Sequence, residues 1–274
     1  MGTLHLVATP IGNLEDLSPR ALRVLREARL IAAEDTRHTR HLLTHFDVHT
    51  PLTSYYEHNK LSKLEAILAA LAEGDVALVS DAGTPAINDP GYELVKAALG
   101  AGHTVSPVPG PSAPVAALAA SGLPTDAFLY LGYLPRKASE RRALLMGVSA
   151  LPYTLIFLEA PHRLLEALDD LLAVLGDRPM AAARELTKLH EEVYRAAVSQ
   201  VKVHFAEQEP RGEFTLVVGG QQATGDGKWS EEQLLTSIQQ GLKKDQPAKE
   251  LAAELAKQSG WPRREIYNLI NTKR

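Results

Sequence analysis

The run Val76-Ala77-Leu78-Val79 passes without a break into Ser80-Asp81-Ala82-Gly83-Thr84-Pro85, so an apolar segment ends abruptly in an acidic turn closed by proline. A short apolar run bounded by turn residues fits a strand buried on both faces, the environment of a parallel sheet. The same grammar recurs in Leu4-His5-Leu6-Val7-Ala8-Thr9-Pro10-Ile11-Gly12-Asn13 and in Thr104-Val105-Ser106-Pro107-Val108-Pro109-Gly110-Pro111-Ser112. Ligands of open α/β sheets gather where strands end at their carboxyl side. Three such edges therefore predict one shared pocket.

Bulk properties narrow the alternatives. A chain of 274 residues, 45% of them apolar, is long enough for a sizeable core and is read as folded rather than disordered. It has no cysteine, which removes disulfides, zinc-thiolate sites and thiol catalysis and is compatible with a reducing compartment. No basic segment leads a long apolar stretch at the N-terminus, and no run of about 18 apolar residues occurs, so a soluble cytoplasmic protein is expected. Net charge is −4, unevenly placed: residues 228–274 carry +3 and residues 1–227 carry −7. A basic tail on an acidic body permits contact with a polyanion through a limited patch, although a solvated helical module has the same composition.

The spacing predicts a helix over Leu14–Arg29, with Ser18-Pro19 as cap and first-turn proline, then a short strand Leu30-Ile31-Ala32-Ala33 and a helix over Tyr55–Glu73. Another helix follows the third turn within Gly110–Gly122. Alternating strands and helices indicate an α/β domain with mainly parallel strands. Leu123-Pro124-Thr125-Asp126 breaks the pattern. A second series, Phe128–Leu131, Leu155–Leu158, Met180–Ala183 and Phe214–Val218, predicts a second sheet. Residues 219–229 read as a linker, and Ser230–Gly241, Pro247–Gly260 and Pro262–Ile270 as helices. The expected domains are thus 1–122, 123–220 and a helical module over 228–274.

Neither G-x-x-x-x-G-K-[ST] nor G-x-G-x-x-G after the first strand is present, which disfavours a P-loop and an ordinary dinucleotide fold. Pro10, Pro85, Pro109 and Pro111 make stiff walls instead of an amide-lined phosphate nest. Asp81 sits where Gly83 lets backbone approach a ligand closely, yet alone it reads equally as an Asx turn. The stretch 134–142 holds four cations, Arg136, Lys137, Arg141 and Arg142, and one anion. It reads either as a phosphate-gripping loop or as a solvated loop leading into a helix. His38, His41, His45 and His49 recur at helical spacing but lack an H-E-x-x-H partner, so they read as surface or RNA-facing histidines and no metal is assigned.

Seven motifs in order carry a specific resemblance: Thr9-Pro10-Ile11-Gly12-Asn13, Glu34-Asp35-Thr36-Arg37, Ser80-Asp81-Ala82-Gly83-Thr84-Pro85, Pro109-Gly110-Pro111-Ser112-Ala113, Glu159-Ala160-Pro161-His162-Arg163, Arg184-Glu185-Leu186-Thr187-Lys188 and Gly212-Glu213-Phe214. Together they resemble the ribosomal RNA small subunit methyltransferase I family of the tetrapyrrole methylase superfamily. The resemblance implies a two-domain tetrapyrrole-methylase-like (class III methyltransferase) α/β fold with mixed sheets, plus a small C-terminal helical module. It implies S-adenosylmethionine as cofactor, a homodimer, and 2′-O-methylation of a cytidine ribose in the decoding region of 16S rRNA within the small ribosomal subunit. Motif by motif, it assigns Thr9, Pro10, Asp81, Ala82, Gly83, Thr84, Pro109, Gly110, Ser112 and Ala113 to the cofactor from the first domain. From the second come Leu158, Glu159, Ala160, Leu186, Phe214 and Thr215.

A ribose hydroxyl is a weak nucleophile, so a base or a cation favouring its alkoxide is expected nearby. Glu185 and Lys188 are the catalytic candidates, with the choice of base between them open. Arg37, Arg163 and Arg184, with Arg136 and Lys137, are assigned to the RNA. Outside the motif context, Arg184, Glu185 and Lys188 would read as a surface ion-pair group. The competing functions are a methylase of the same superfamily acting on a tetrapyrrole or protein, and a non-catalytic RNA-binding assembly factor. With aromatics at only 5% of residues, a broad stacking platform for RNA is not expected.

Overall fold

The computed structural model describes residues 1–207, 209–221, 229, 231–243 and 246–273. The apolar runs become a five-stranded sheet ordered β3-β2-β4-β1-β5, built from β1 (Thr3–Val7), β2 (Leu30–Ala33), β3 (Leu52–Ser54), β4 (Val76–Val79) and β5 (Thr104–Val108). Every pairing among them is parallel, with Leu4 opposite Val76 on one side and Val105 on the other. Parallel strands need crossovers, and the intervening sequence supplies α1 (Pro19–Glu27), α2 (Thr36–His45), α3 (Lys60–Glu73) and α4 (Tyr92–Gly100).

Strand alternation sorts the core into two faces. Val7, Ala77 and Val79 pack with Ala21, Leu25 and Leu43 of α1 and α2. Leu4, Val76 and Leu78 pack with Ile67, Leu71, Leu94 and Ala98 of α3 and α4. Ser18 caps α1, its hydroxyl accepting from the Ala21 N–H at 3.0 Å, and Pro19 occupies the first turn. The helix expected over Leu14–Arg29 is interrupted: a single 3₁₀ turn at Leu14–Asp16 precedes α1, because Leu17 is extended. The helix expected from Tyr55 begins only at Lys60. Leu52–Ser54 instead extends the sheet as an edge strand, and the Tyr55 N–H donates to the Ala33 carbonyl at 2.7 Å.

A second sheet, ordered β6-β7-β10-β8-β9, comprises β6 (Phe128–Tyr133), β7 (Thr154–Glu159), β8 (Pro179–Arg184), β9 (Glu192–Ala197) and β10 (Phe214–Val218). Only β6 and β7 run parallel; the remaining pairings are antiparallel, so this sheet is mixed. One face carries α6 (Ala138–Val148), α7 (Leu164–Leu175) and α8 (Val198–Glu207) over Leu145, Phe157, Leu168, Phe205 and Leu216. The other receives α5 (Ala113–Ser121), whose Ala117 and Leu118 lie on Ile156, Ala181, Ala183 and Val217. Small side chains on β8 let that helix approach. The strand β9 was not legible as one, since Glu192-Val193-Tyr194-Arg195-Ala196-Ala197 has no clean apolar alternation.

Residues 134–142 are not one loop. Ala138 opens α6, and Arg141 is buried with its Nε 2.5 Å from Asp170 Oδ2, while Arg142 Nε meets Asp170 Oδ1 at 2.5 Å. Arg141 is therefore a packing residue, unavailable to phosphate. Burial alone would raise the Asp170 carboxyl, but the two guanidinium groups outweigh it and hold it below the usual range.

Residues 150–152 and 220–274 form a separate compact unit. In it α9 (Glu231–Lys243), α10 (Ala248–Ser259) and α11 (Arg263–Lys273) share a core of Leu234, Ile238, Leu251, Leu255, Ile266 and Ile270. The stretch read as a linker, 219–229, lies mostly outside the described residues, as does Ser230. Among the described residues, no helix is long and apolar enough to cross a membrane.

Removing Asp170 strands a buried guanidinium. Asp170→Ala is expected to lower unfolding free energy by about 3–5 kcal/mol in guanidinium titrations. Because the folded carboxyl is held low, the wild-type advantage is present above the ordinary carboxylate range and is lost as pH falls through it.

Candidate functional site

Parallel strands bring their carboxyl ends to one edge, and there the three motif loops meet. The Thr9 N–H donates to the Gly83 carbonyl at 2.9 Å and the Gly83 N–H to the Thr9 carbonyl at 3.0 Å, an antiparallel bridge between the loops leaving β1 and β4. Gly83 has φ +79°, the left-handed region that glycine enters at little cost. The Thr84 hydroxyl donates to the Pro111 carbonyl at 3.3 Å, tying in the loop after β5. Above these loops opens a cavity of about 240 Å³, closed on its other side by Tyr130 and Tyr133 of β6, Leu158 of β7, Ala183 of β8, the loop Glu185–Lys188, and Glu213 to Thr215.

The first-lobe wall is acidic. Glu34, Asp81 and Asp89 line it together, and the Asp81 N–H donates to Glu34 Oε2 at 3.4 Å while Asp81 Oδ1 accepts from the Asp35 N–H at 3.0 Å. Burial, reinforced by the charges of Asp89 and Asp81, pushes the Glu34 carboxyl up; burial and Asp81 do the same to Asp89. Asp35 lies outside this group. Its bonds to Arg37, one at 2.7 Å, hold its carboxyl well below the carboxylate range.

The second-lobe wall carries an ion pair. Lys188 Nζ donates to Glu185 Oε1 at 2.8 Å and lies 3.3 Å from Glu213 Oε2. Glu185 Oε1 also accepts from the Glu213 N–H at 3.0 Å. Burial alone would raise Glu185 and lower Lys188, but their mutual pairing and the Glu213 contacts win: Glu185 is held low and Lys188 high. Both stay charged at neutral pH. The backbone carrying them is strained, with Glu185 at φ +50° and Thr187 at φ +67°, and on the facing loop Ala86 and Asn88 are each at φ +67°. Such conformations cost about 1–3 kcal/mol each and gather at ligand sites.

Two glycines set the distance between the lobes. A Cβ on Gly12 would lie 2.3 Å from Lys188 Cγ and 2.9 Å from Thr187 Oγ1, and a Cβ on Gly132 would lie 2.2 Å from Asn88 Nδ2. Each holds a lobe-to-lobe contact too close for a side chain.

Of the residues assigned from sequence, Asp81 to Thr84, Ser112, Ala113, Leu158, Leu186, Phe214 and Thr215 line this cavity, with Glu185 and Lys188 beside them. Thr9 and Pro10 line a neighbouring cavity that shares Asp81. Pro109, Gly110, Glu159 and Ala160 do not line the cleft. Gly110 packs on Ala8, the residue after β1, where a Cβ would lie 3.0 Å from Ala8 Cβ. Glu159 is buried and turned inward, accepting from the Ala160 N–H at 2.8 Å and pairing with Arg163 at 3.2 Å. Arg163 also donates to the Leu134 and Pro135 carbonyls, and Arg184 pairs with Glu192 at 3.5 Å. Arg37, Arg136 and Lys137 are exposed outside the cleft.

Sequence reasoning missed Glu34, Asn88, Asp89, Tyr130 and Tyr133 as lining residues. Asn88-Asp89-Pro90-Gly91 was legible as a turn, but that it folds back over the cleft is a tertiary fact. The histidines divide: His38, His41 and His45 lie on α2, and His49 beyond it. Among the described residues, no three His, Asp or Glu side chains converge to hold a metal.

This two-lobed cleft, at the edge of a parallel sheet and faced by a mixed one, defines a tetrapyrrole methylase fold. The family model described as Tetrapyrrole (Corrin/Porphyrin) Methylases matches residues 3–202. A crystal structure of uroporphyrin-III-C-methyltransferase from Thermus thermophilus is similar with a TM-score of 0.55 at 25% identity, covering 80% of this chain and 94% of that one. Another structure of that enzyme, complexed with S-adenyl homocysteine, has a TM-score of 0.54 at 22% identity, covering 80% and 97%. Among curated relatives, the Ribosomal RNA small subunit methyltransferase I of Halalkalibacterium halodurans is 47% identical over 98% of this chain and 95% of its own length, and that of Synechocystis sp. is 46% identical over 98% and 97%. The chain belongs to the ribosomal RNA small subunit methyltransferase I family of S-adenosylmethionine-dependent methyltransferases.

Two outcomes test this geometry. Gly12→Ala is expected to push the Glu185–Lys188 loop off the first lobe and lower methyl transfer at least about tenfold, with the circular dichroism spectrum unchanged. In the ligand-free protein, raised folded-state carboxyls at Glu34 and Asp89 mean that stability falls as pH rises from the ordinary carboxylate range through their folded values. Glu34→Gln is expected to flatten that fall in melting curves recorded across pH.

Proposed function

We propose that this chain transfers a methyl group from S-adenosylmethionine to the ribose 2′-oxygen of a cytidine in the decoding region of 16S rRNA, acting on the small ribosomal subunit as a soluble homodimer in the cytoplasm. The observation that carries the reading is the pairing, across one cleft, of an acidic wall with the Lys188 ammonium. Near-full-length relatives named for small subunit rRNA support the substrate class.

The residues present suit the donor. Ile11, Leu158, Leu186 and Phe214 offer apolar walls, and the carboxylates of Glu34, Asp81 and Asp89 are acceptors for hydroxyl and amine donors. Gly83, Ser112 and Ala113 line the cavity from the turns after β4 and β5. When bound, S-adenosylmethionine supplies an activated, sulfonium-linked methyl group. What the chain adds is orientation, worth on the order of 7–11 kcal/mol in favourable intramolecular cases, and local charge.

Lys188 is the residue assigned to charge. Held in its ammonium form by Glu185 and Glu213, it cannot accept a proton at neutral pH; it can stabilise negative charge on a ribose oxygen brought beside Nζ. Glu185, held ionised with a low pKa, is a weak proton acceptor. Its role is to position Lys188. Between the two catalytic candidates, charge stabilisation by Lys188 is therefore favoured over base catalysis by Glu185.

Exposed Arg37, Arg40, Arg136, Lys137 and Arg142 offer cations on an otherwise acidic body. Patchy cation placement suits a folded RNA surface, with phosphates giving the salt dependence. Unmethylated small subunits should accept label from S-adenosylmethionine far better than a naked oligonucleotide. Mapping the label to a base, or to protein, overturns the reading. Lys188→Ala is expected to cut the single-turnover rate on unmethylated subunits by about 10²–10³-fold, the cost of one lost charge-stabilising donor. Donor affinity by calorimetry should change little, and an unaltered rate removes Lys188 from the chemistry.

A further inference from the structure

A second cavity, of about 280 Å³, adjoins the cleft and shares Asp81 with it. Its walls are Pro10, Leu14 and Leu42, with Thr39 and His41 as polar groups from α2. Thr39 is 3% exposed, and its hydroxyl has no hydrogen-bond partner among the described residues. A threonine within a helix commonly turns its hydroxyl back to the carbonyl four residues earlier. Thr44, on the same helix, does so toward Arg40 at 2.8 Å. Thr39 forgoes that bond even though its own N–H donates to the Asp35 carbonyl at 3.0 Å. A buried hydroxyl left without a partner is unfavourable, and Thr39 is one of the residues that line the cavity.

The surroundings state what kind of ligand. At about 280 Å³ the cavity is comparable with the cleft beside it, so its lining and its charged neighbours, not its size, point to the occupant. Arg37, Arg40, His41 and His45 surround an adjoining surface hollow on α2, and Arg40 has no ion-pair partner among the described residues. The loop after β1 links both spaces to the catalytic wall: Pro10 lines this cavity, Ile11 lines the cleft, and Gly12 touches Lys188.

We propose that this cavity receives the base of the methylated nucleotide, a pyrimidine turned out of the RNA stack. Arg37 and Arg40 hold the flanking phosphates, and the ribose lies between this cavity and Lys188, whose side chain packs on Gly12 of the connecting loop. The assignment rests on the rRNA reading above. Sequence-specific recognition of RNA commonly splays a base out of the stack and reads its edge by hydrogen bonds, and enzymes that work on a base flip it into a pocket. The Thr39 hydroxyl, donor and acceptor at once, supplies one such bond.

The test uses the full chain and unmethylated small ribosomal subunits. Leu42→Trp fills the cavity and Thr39→Val removes only the hydroxyl. Both are expected to bind S-adenosylhomocysteine within about twofold of wild type by calorimetry. For methyl transfer to the subunits, kcat/KM should fall at least about 100-fold with Leu42→Trp and about tenfold with Thr39→Val. Thr39→Val should also melt no lower than wild type, because it deletes an unpaired polar group; a merely structural threonine would lose stability with activity. Arg40→Ala should reduce the slope of log Kd for the subunits against log salt by about one. Wild-type kcat/KM in both cavity variants overturns the subsite while leaving the rRNA reading intact. Failure of the wild-type chain to label subunit RNA removes that reading and the subsite with it. Should Leu42→Trp misfold, wild-type kcat/KM in Thr39→Val alone is sufficient to overturn the subsite.

Discussion

Two backbone hydrogen bonds between Thr9 and Gly83 are the contact on which the rest of the site depends. They join the loops leaving β1 and β4, adjacent strands in a wholly parallel sheet. Parallel pairing puts every strand's carboxyl end at the same edge, so the acidic turn at Asp81, the Glu34 carboxylate after β2 and the proline-rich turn after β5 converge without any need for proximity in sequence. Gly83 makes this possible because its φ of +79° closes the turn back toward Thr9.

The second constraint is how near the lobes approach. Gly12 against Lys188 and Gly132 against Asn88 leave no room for a Cβ. The loops on the other side of these contacts carry positive φ at non-glycine residues, Ala86 and Asn88 on one lobe and Glu185 and Thr187 on the other. A site built this way stores backbone strain beside its ligand volume, where packing between lobes over-determines it. It also faces an acidic wall on one lobe with a Lys188 ammonium held between the Glu185 and Glu213 carboxylates on the other.

Much of the fold was legible because the runs were unambiguous. Val76–Val79 is buried at every position, and Phe214–Val218 likewise, so their apolar continuity reported a central strand directly. Ser18-Pro19 marked a helix start because its chemistry is local. Leu52–Ser54 and Glu192–Ala197 escaped notice as edge strands. An edge strand needs neither full burial nor alternation, since one neighbour satisfies half of its backbone and solvent the rest. In the site, the loops Asp81–Thr84 and Ser112–Ala113 were legible from turn residues after strands. The direction of Glu159 was not legible for a tertiary reason: its motif position ends a strand, but its carboxylate turns inward to Arg163.

The sequence alone determined the central strands and several of the helices, that three strand ends carry turn chemistry, and that thiols play no part, because these follow from periodicity, local caps and composition. Tertiary structure alone decided that Asp89, Tyr130 and Tyr133 face the same cavity as Asp81, that Arg141 is a buried structural cation, and that Lys188 is kept charged by Glu185 and Glu213. These depend on side-chain direction, on burial and on charges brought together from distant positions in the chain. None of those quantities exists until the two sheets have packed.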